Sequence, residues 1–308
     1  MTKTELKQNI TKIKKLLKKR DYDIIDTGIE LARGLDEPVV FEALLGGWSI
    51  NDEGILVLEE GYKGETLTKR WSDESWPYFA YALVNLIGYA PKNTKVDKSL
   101  EHANIKTLSL SLEFNRNSSL QNVDVLANLT NLISLDLGGC ASLQNVDGLA
   151  NLTNLTSLDL WSCDSLQNVD ILANLTNLTS LNLGWSNSLQ NVDILANLTN
   201  LTTLILHQCK SLQNVDGLAN LTNLTSLDLY YCRSLQNVDG LANCTNLTSL
   251  NLGWCKSLQK VDVLSNLPNL TNLNLRYSDE VQPKPSKEKM YTREEVVAYQ
   301  EEIKKSMK

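Results

Sequence analysis

Six cysteines, two histidines and a regular series of aspartates are the residues of this chain whose types could carry chemistry. Cys209, Cys232 and Cys255 recur at one interval, so three thiolates could in principle share a metal. No histidine or carboxylate stands where it would complete a tetrahedral shell. Cys140 and Cys163 keep the same interval and only Cys244 departs from it, a pattern of buried, reduced thiols rather than of a disulfide framework. Neither His102 nor His207 has a nucleophile and an acid at hand, which favours binding over proton transfer. GYKGETLTKR, residues 61–70, has the glycines and lysine of a phosphate loop without the G-x-x-x-x-G-K-[ST] spacing. The expectation is a chain with no enzymatic activity, no cofactor and no metal.

What positions these residues is a repeat. SLQNVD begins at Ser119, Ser142, Ser165, Ser188, Ser211 and Ser234 and returns as SLQKVD at Ser257, always 23 residues on. One unit, LTSLDLWSCDSLQNVDILANLTN, spans Leu155 to Asn177. The step of two from Leu158 to Leu160 predicts a short strand, because side chains there alternate between core and solvent. Beyond Cys163 the apolar residues return every third position, which suits 3-10 turns or extended coil better than an α-helix. Such a unit cannot bury its leucines alone, so the copies must stack, strand beside parallel strand.

The pattern L-x-x-L-x-L-x-x-C/N-x-x-L resembles the leucine-rich repeat family; VDILANLTNLTSL is similar to the short repeats of bacterial internalins, and the cysteine before x-S-L to repeats of plant disease-resistance receptors. The resemblance covers roughly residues 105–280. It implies an α/β fold: a curved solenoid with a parallel β-sheet on its concave face, preceded by a small α-helical domain. Eight strands are expected, at Leu112 to Phe114 and then at Leu135, Leu158, Leu181, Leu204, Leu227, Leu250 and Leu273. The column of Cys163 runs Asn117, Cys140, Cys163, Ser186, Cys209, Cys232, Cys255, Ser278, each small and able to hydrogen-bond at the turn. Asp147, Asp170, Asp193, Asp216, Asp239 and Asp262 are expected to cap the following turn, and Asn151, Asn174, Asn197 and Asn220 to form an amide ladder.

Where the copies differ, they differ together. Strand alternation sends Ser157, Asp159 and Trp161 away from the core, with Ser162 and Asp164 on the rim beyond. The Trp161 column reads Gly138, Trp161, Gly184, His207, Tyr230, Gly253, Arg276, and the next reads Gly139, Ser162, Trp185, Gln208, Tyr231, Trp254, Tyr277. After the cysteine column come Asp164, Lys210, Arg233 and Lys256, with Asp279 last. Outward-facing rings gain little from folding, so several together mark a contact surface. Trp161, Trp185, Tyr230, Tyr231, Trp254 and Tyr277 form the predicted stripe, flanked by His207, Gln208, Lys210, Arg233, Lys256 and Arg276.

The ends have other compositions. Residues 1–100 read as a helical, capping domain: Leu6, Ile10, Ile13 and Leu17 share a face, Gly34 and Pro38 break two helices, and WPYFAYALVNLIGYAP is an apolar helix. The array proper occupies 101–280. Residues 281–308 form a proline-bearing linker and a helix opened by Thr292 and Glu295, with Val296, Tyr299, Ile303 and Met307 on one face, which either folds over the last repeat or binds elsewhere. The formal charge is −7, and residues 101–280 hold 15 acidic against 7 basic groups, which argues against a nucleic-acid partner. No signal-peptide pattern and no apolar run long enough for a membrane span are present. The reading is a cytoplasmic monomer that recognises an unidentified protein; the alternative is a surface-templating protein that meets ice or polysaccharide through regular Asn and Thr ladders.

Overall fold

The computed structural model describes residues 1–19, 21–46, 48–50, 56–58, 76–91, 94–95, 98, 105–109 and 120–308. His102, residues 61–70, Leu112 to Phe114 and Asn117 lie outside them. The chain forms two compact units, Met1–Leu155 and Thr156–Lys308.

The first unit opens with α1 (Lys3–Leu17), capped by Thr2: the Glu5 N–H donates to Thr2 Oγ1 (3.2 Å) and the Thr2 N–H to Glu5 Oε2 (2.6 Å). Asp21 accepts from the Ile24 N–H at the start of α2 (Tyr22–Leu35). The left-handed Asp36 (φ 46°) ends that helix and Pro38 begins α3 (Pro38–Leu45), so the break falls where Gly34 and Pro38 put it. Two short strands follow, β1 (Trp48–Ile50) and β2 (Leu56–Leu58), paired antiparallel; a wholly helical reading of residues 1–100 omits them. α4 (Trp76–Tyr89) packs on α2, where Tyr22 and Tyr81 meet edge to face at 4.9 Å. α4 also packs on β3 (Thr107–Ser109), the strand paired in parallel with β4 (Ser134–Asp136).

The second unit holds six parallel strands in sequence order: β5 (Ser157–Asp159), β6 (Ser180–Asn182), β7 (Thr203–Ile205), β8 (Ser226–Asp228), β9 (Ser249–Asn251) and β10 (Asn272–Asn274). Each is in register with the next one 23 residues on, Leu158 beside Leu181, Leu204, Leu227, Leu250 and Leu273 in turn. These central leucines are buried, as is the Leu two positions later in each rung, while the flanking strand residues remain partly exposed. The three-residue period beyond the strand becomes a 3-10 turn in every rung, as at Asp170–Asn174 and Asp193–Asn197.

Two hydrogen-bond assignments differ from expectation. The aspartates that open these turns do not cap them; their own N–H groups donate to the side chain of the asparagine two residues earlier, Asp170 to Asn168 Oδ1 (2.7 Å) and Asp239 to Asn237 Oδ1 (3.1 Å). The amide ladder uses mainly the second asparagine of N-x-x-N-L: Asn200, Asn223, Asn246 and Asn269 each donate to the Thr carbonyl 24 residues earlier, and from the first-asparagine column Asn243 donates to Ala219 O (3.2 Å). Thr202, Thr225, Thr248 and Thr271 donate to the preceding Thr carbonyl at 3.0–3.2 Å. Each of these groups already holds the previous rung, so the ladder is cohesive rather than poised to template a surface.

The cysteine column performs the turn role expected of it. Cys209, Cys232 and Cys255 donate Sγ–H to the carbonyls of Leu183, Leu206 and Leu229 (3.2–3.3 Å), and Ser278 Oγ donates to Leu252 O (2.6 Å). Ser186 is the exception: its hydroxyl is buried without a protein partner, beside an open hollow of about 260 Å³ lined by Leu166, Val169, Leu183 and Leu189 and by Gln167 and Asn191. Burying an unpaired hydroxyl costs roughly 1–3 kcal/mol. Ser186→Cys restores the residue of the neighbouring rungs, and a gain of about 1 kcal/mol in urea unfolding is expected; a loss of stability would show that the hydroxyl is satisfied.

The last rung is closed by its own chain. β11 (Lys289–Met290) runs antiparallel to β10, and α5 (Arg293–Ser306) lies on the Asp262–Asn266 turn. Val296, Tyr299 and Ile303 are buried there, whereas Met307 is 52% exposed. The Glu295 carboxylate accepts from the Tyr291 N–H (2.8 Å), while the Glu295 N–H donates to Thr292 Oγ1 (3.3 Å).

Candidate partner-binding rim

At the ends of five of the six strands of the second unit, all but β7 with its Ile205, an aspartate or asparagine side chain accepts from the N–H two residues on. Asp159 holds Trp161 (2.7 Å), Asn182 holds Gly184 (3.0 Å), Asp228 holds Tyr230 (2.9 Å), Asn251 holds Gly253 (3.2 Å) and Asn274 holds Arg276 (3.0 Å). These turns deliver the next residue into the left-handed region. Ser162, Trp185, Gln208, Tyr231, Trp254 and Tyr277 all have φ between 54° and 65°, and Gly139 in the first unit has φ 77°. Their N–H groups reach the following rung, Trp185 to His207 O, Tyr231 to Gly253 O and Trp254 to Arg276 O, each 2.8 Å.

That conformation costs a side-chain-bearing residue roughly 1–2 kcal/mol relative to right-handed backbone. Glycine, asparagine or aspartate would be the inexpensive choice. The column instead carries two tryptophans and two tyrosines, all half-buried.

The rings meet in series. Tyr230 and Tyr231 lie 6.0 Å apart between centroids, Tyr231 and Trp254 5.7 Å, Trp254 and Tyr277 4.6 Å, all tilted. Cations cover them: Lys210 Nζ lies 5.4 Å from the centre of a Trp185 ring, Arg233 Cζ 4.1 Å from Tyr231, Lys256 Nζ 5.1 Å from a Trp254 ring and Arg276 Cζ 4.5 Å from Tyr277. Arg233 and Arg276 also donate Nη2–H to the hydroxyls of Tyr231 and Tyr277. Lys256 donates to Asp279 Oδ2 (2.6 Å), and this hydrogen bond holds the Asp279 carboxyl below the usual carboxylate range.

Trp161 leaves this series for another partner. Its Nε1–H donates to His207 Nε2 (3.2 Å) across Gly184, an acceptor role that requires an unprotonated Nε2; His207 Nδ1 lies 3.9 Å from Asp228 Oδ2. A Cβ on Gly184 would stand 2.9 Å from the imidazole and 3.1 Å from Trp161 Cδ1, so the glycine makes room for that pair. Gly253 does the same for Tyr230, whose Cδ2 a Cβ would approach to 3.2 Å. Asp159 is tied into the sheet through Asn182 Nδ2 (2.9 Å), and Asp164 is exposed beyond the rim, accepting from Ser162 Oγ (3.4 Å). Of the residues expected from the sequence, Tyr230, Tyr231, Arg233, Trp254, Lys256, Arg276 and Tyr277 therefore form one patch with Trp185 and Lys210 at its border. Trp161 and His207 form a second group.

Burial disfavours the thiolate form of four of the thiols. Desolvation by burial pushes Cys209 and Cys255 up to about 12 and Cys244 to about 11, with Cys232 also well above its ordinary value. Among the described residues no three His, Cys, Asp or Glu side chains are grouped to hold a metal, and no helix is long and apolar enough to cross a membrane.

The rungs and their turns agree with known proteins. The model of the BspA type leucine rich repeat region, in six copies, matches residues 110–236 and 182–281. Comparison with curated proteins yields no match. Among solved structures, internalin C2 from Listeria monocytogenes is 28% identical over 66% of this chain and 84% of its own, with a TM-score of 0.50. Internalin F from the same species is 27% identical over 63% and 67%, with a TM-score of 0.45. The leucine-rich repeat domain of the type III effector XopL shares the fold at 21% identity, over 74% and 81%, with a TM-score of 0.50. With matched repeats over more than half its length and parallel strands in 23-residue register, this chain belongs to the BspA-type leucine-rich repeat family.

Proposed function

We propose that this chain is a non-enzymatic recognition protein that binds a protein partner along the outward face and rim of its sheet. The observation that carries the reading is the left-handed column. Trp185, Tyr231, Trp254 and Tyr277 occupy backbone where glycine or asparagine would be cheaper, and strain retained at bulky side chains is a mark of use. Tyrosine, tryptophan and arginine are also the residues that dominate interface energetics. The buried cysteines support a reducing, cytoplasmic setting. The helices of residues 1–100 and the segment 281–308 fit the role of caps on the array of 101–280, since the terminal rungs of a stacked array otherwise expose their leucines.

Asparagine tolerates the left-handed region, so Tyr231→Asn with Trp254→Asn removes both rings without adding backbone strain. Recovery of the partner from the native cell is expected to weaken at least about a hundredfold, as for two interface residues of about 2 kcal/mol each. Thermal stability is expected to stay within a few degrees of the parent. Unchanged recovery by the folded double variant would refute the assignment.

A further inference from the structure

Between residues 156 and 280 the array carries ten acidic residues and only five basic ones. Four of the five, Lys210, Arg233, Lys256 and Arg276, lie on the left-handed rim, each over an aromatic ring; Lys260 alone lies elsewhere. Much of the acidic excess occupies a different column, where Asp170, Asp193, Asp216, Asp239 and Asp262 open the 3-10 turns. The turn column is thus wholly anionic, while four of the five cations gather over the rings of the rim, beside Asp159, Asp164, Asp228 and Asp279.

Three properties of the rim define what fits it. Ring faces screen one side of each cation from water and restrict its rotamers, so an arriving anion meets charges already in place. The cations recur from rung to rung, at the roughly 4.8 Å spacing of neighbouring strands, so the complement is a run of anions rather than a single one. The run is short. At the position after the cysteine column the residues are Asp164, Asn187, Lys210, Arg233, Lys256 and Asp279, so carboxylates close the row at both ends. A long polyanion such as a nucleic acid would have to pass over those carboxylates and lose much of its gain.

We propose that this rim receives a short, extended acidic segment of the partner protein, its carboxylates on Lys210, Arg233, Lys256 and Arg276 and its methylene and amide groups on the rings of Tyr231, Trp254 and Tyr277. The inference rests on the protein-recognition reading above and names the chemistry of that partner. Lys256 already holds Asp279 at 2.6 Å, and an incoming carboxylate takes the place of this internal one.

The probe is a fluorescein-labelled oligoglutamate peptide, followed by anisotropy with the full chain. Binding is expected, weakening at least tenfold as the Debye length falls from about 30 Å at 0.01 M salt to about 8 Å at 0.15 M. Lys210→Glu, Arg233→Glu and Lys256→Glu together are expected to reduce it at least a hundredfold, with near-ultraviolet dichroism confirming the fold. Lys14→Glu with Lys15→Glu, on the basic helix α1, is expected to leave it unchanged. Absence of binding, loss through the α1 variant alone, or equal or tighter binding of oligouridylate or oligogalacturonate would overturn the inference. A native partner that survives the charge reversal but is lost with Tyr231→Asn and Trp254→Asn sinks the acidic segment and leaves protein recognition standing. One that survives both sinks both.

Discussion

Gly240→Ala is expected to lower the stability of the array by about 3 kcal/mol, the upper part of the range for overpacking a close contact. A Cβ at that position would stand 2.0 Å from the Val215 carbonyl oxygen and 2.6 Å from its carbon. Both are backbone atoms of the preceding rung and cannot rotate away. Relief requires the rungs to separate, which stretches the Leu241-to-Val238 turn bond and its neighbours. The same substitution at Gly34, in α2, meets nothing within 4 Å and is expected to stabilise by about 0.5–1 kcal/mol, through helix propensity and the entropy of the unfolded chain. Urea unfolding of the two variants distinguishes packing from any general effect of the methyl group. A Gly240→Ala midpoint equal to the parent's would mean that the turns stack more loosely than described.

Gln300→Ala is expected to cost about 2–3 kcal/mol, an unusual loss for one polar side chain. Its amide donates to Leu264 O (2.7 Å) and Leu267 O (2.9 Å) while its oxygen accepts from Arg293 Nη1 (3.0 Å), and only 4% of the residue is exposed. The same two carbonyls accept the turn bonds of the last rung, which lengthen to 3.3 and 3.4 Å where earlier rungs keep about 2.9 Å. The glutamine thus gives each of these carbonyls a second, shorter hydrogen bond beside its lengthened turn bond. Truncation leaves two buried carbonyls with only their long turn bonds and removes one of the two acceptors of Arg293 Nη1, which keeps Leu270 O (2.9 Å). The exposed neighbour Glu301→Ala is expected to stay within about 0.5 kcal/mol of the parent. Native-state hydrogen exchange gives the readout: Gln300→Ala should release the amides of β10 and the final turn first. Uniform loss of protection over the unit would show that α5 is not a local cap.

The strands from Leu135 to Leu273 were legible because a step of two followed by steps of three leaves few other backbones that bury every leucine. The buried cysteine column followed from the same count. Hydrogen-bond partners were harder to read. QNVD offers an amide and a carboxylate two residues apart, and NLTNL offers two asparagines three apart; composition alone does not separate such acceptors or donors, and backbone direction decides. The first unit was less legible. The pair β1 and β2 lies inside a stretch whose flanks read as helix, and β3 sits 27 residues before β4 rather than 23. For the rim, the sequence named the rings and cations that the fold gathers and set the Ser162 column just beyond the strand, but it did not foresee the left-handed backbone there. The signal was present in Gly139, which heads a column that glycine would suit, and in the Asp or Asn three residues before each member except Gln208, preceded by Ile205. The Trp161–His207 bond skips a rung, and a glycine between a tryptophan and a histidine in one column is its only trace in the sequence.

The thiol column also turns the array into its own reporter of breathing. A thiol reacts with an alkylating reagent as the thiolate, and burial keeps Cys209 and Cys255 protonated up to about 12. Alkylation at neutral pH must therefore wait for the rung to open. Cys209, Cys232 and Cys255 stand on successive rungs, and Cys244 marks the start of a different segment of the repeat. The labelling rate of each cysteine measures the free energy of opening at its own site, so ordinary mass spectrometry can map where the stack frays and how far from its end the fraying travels.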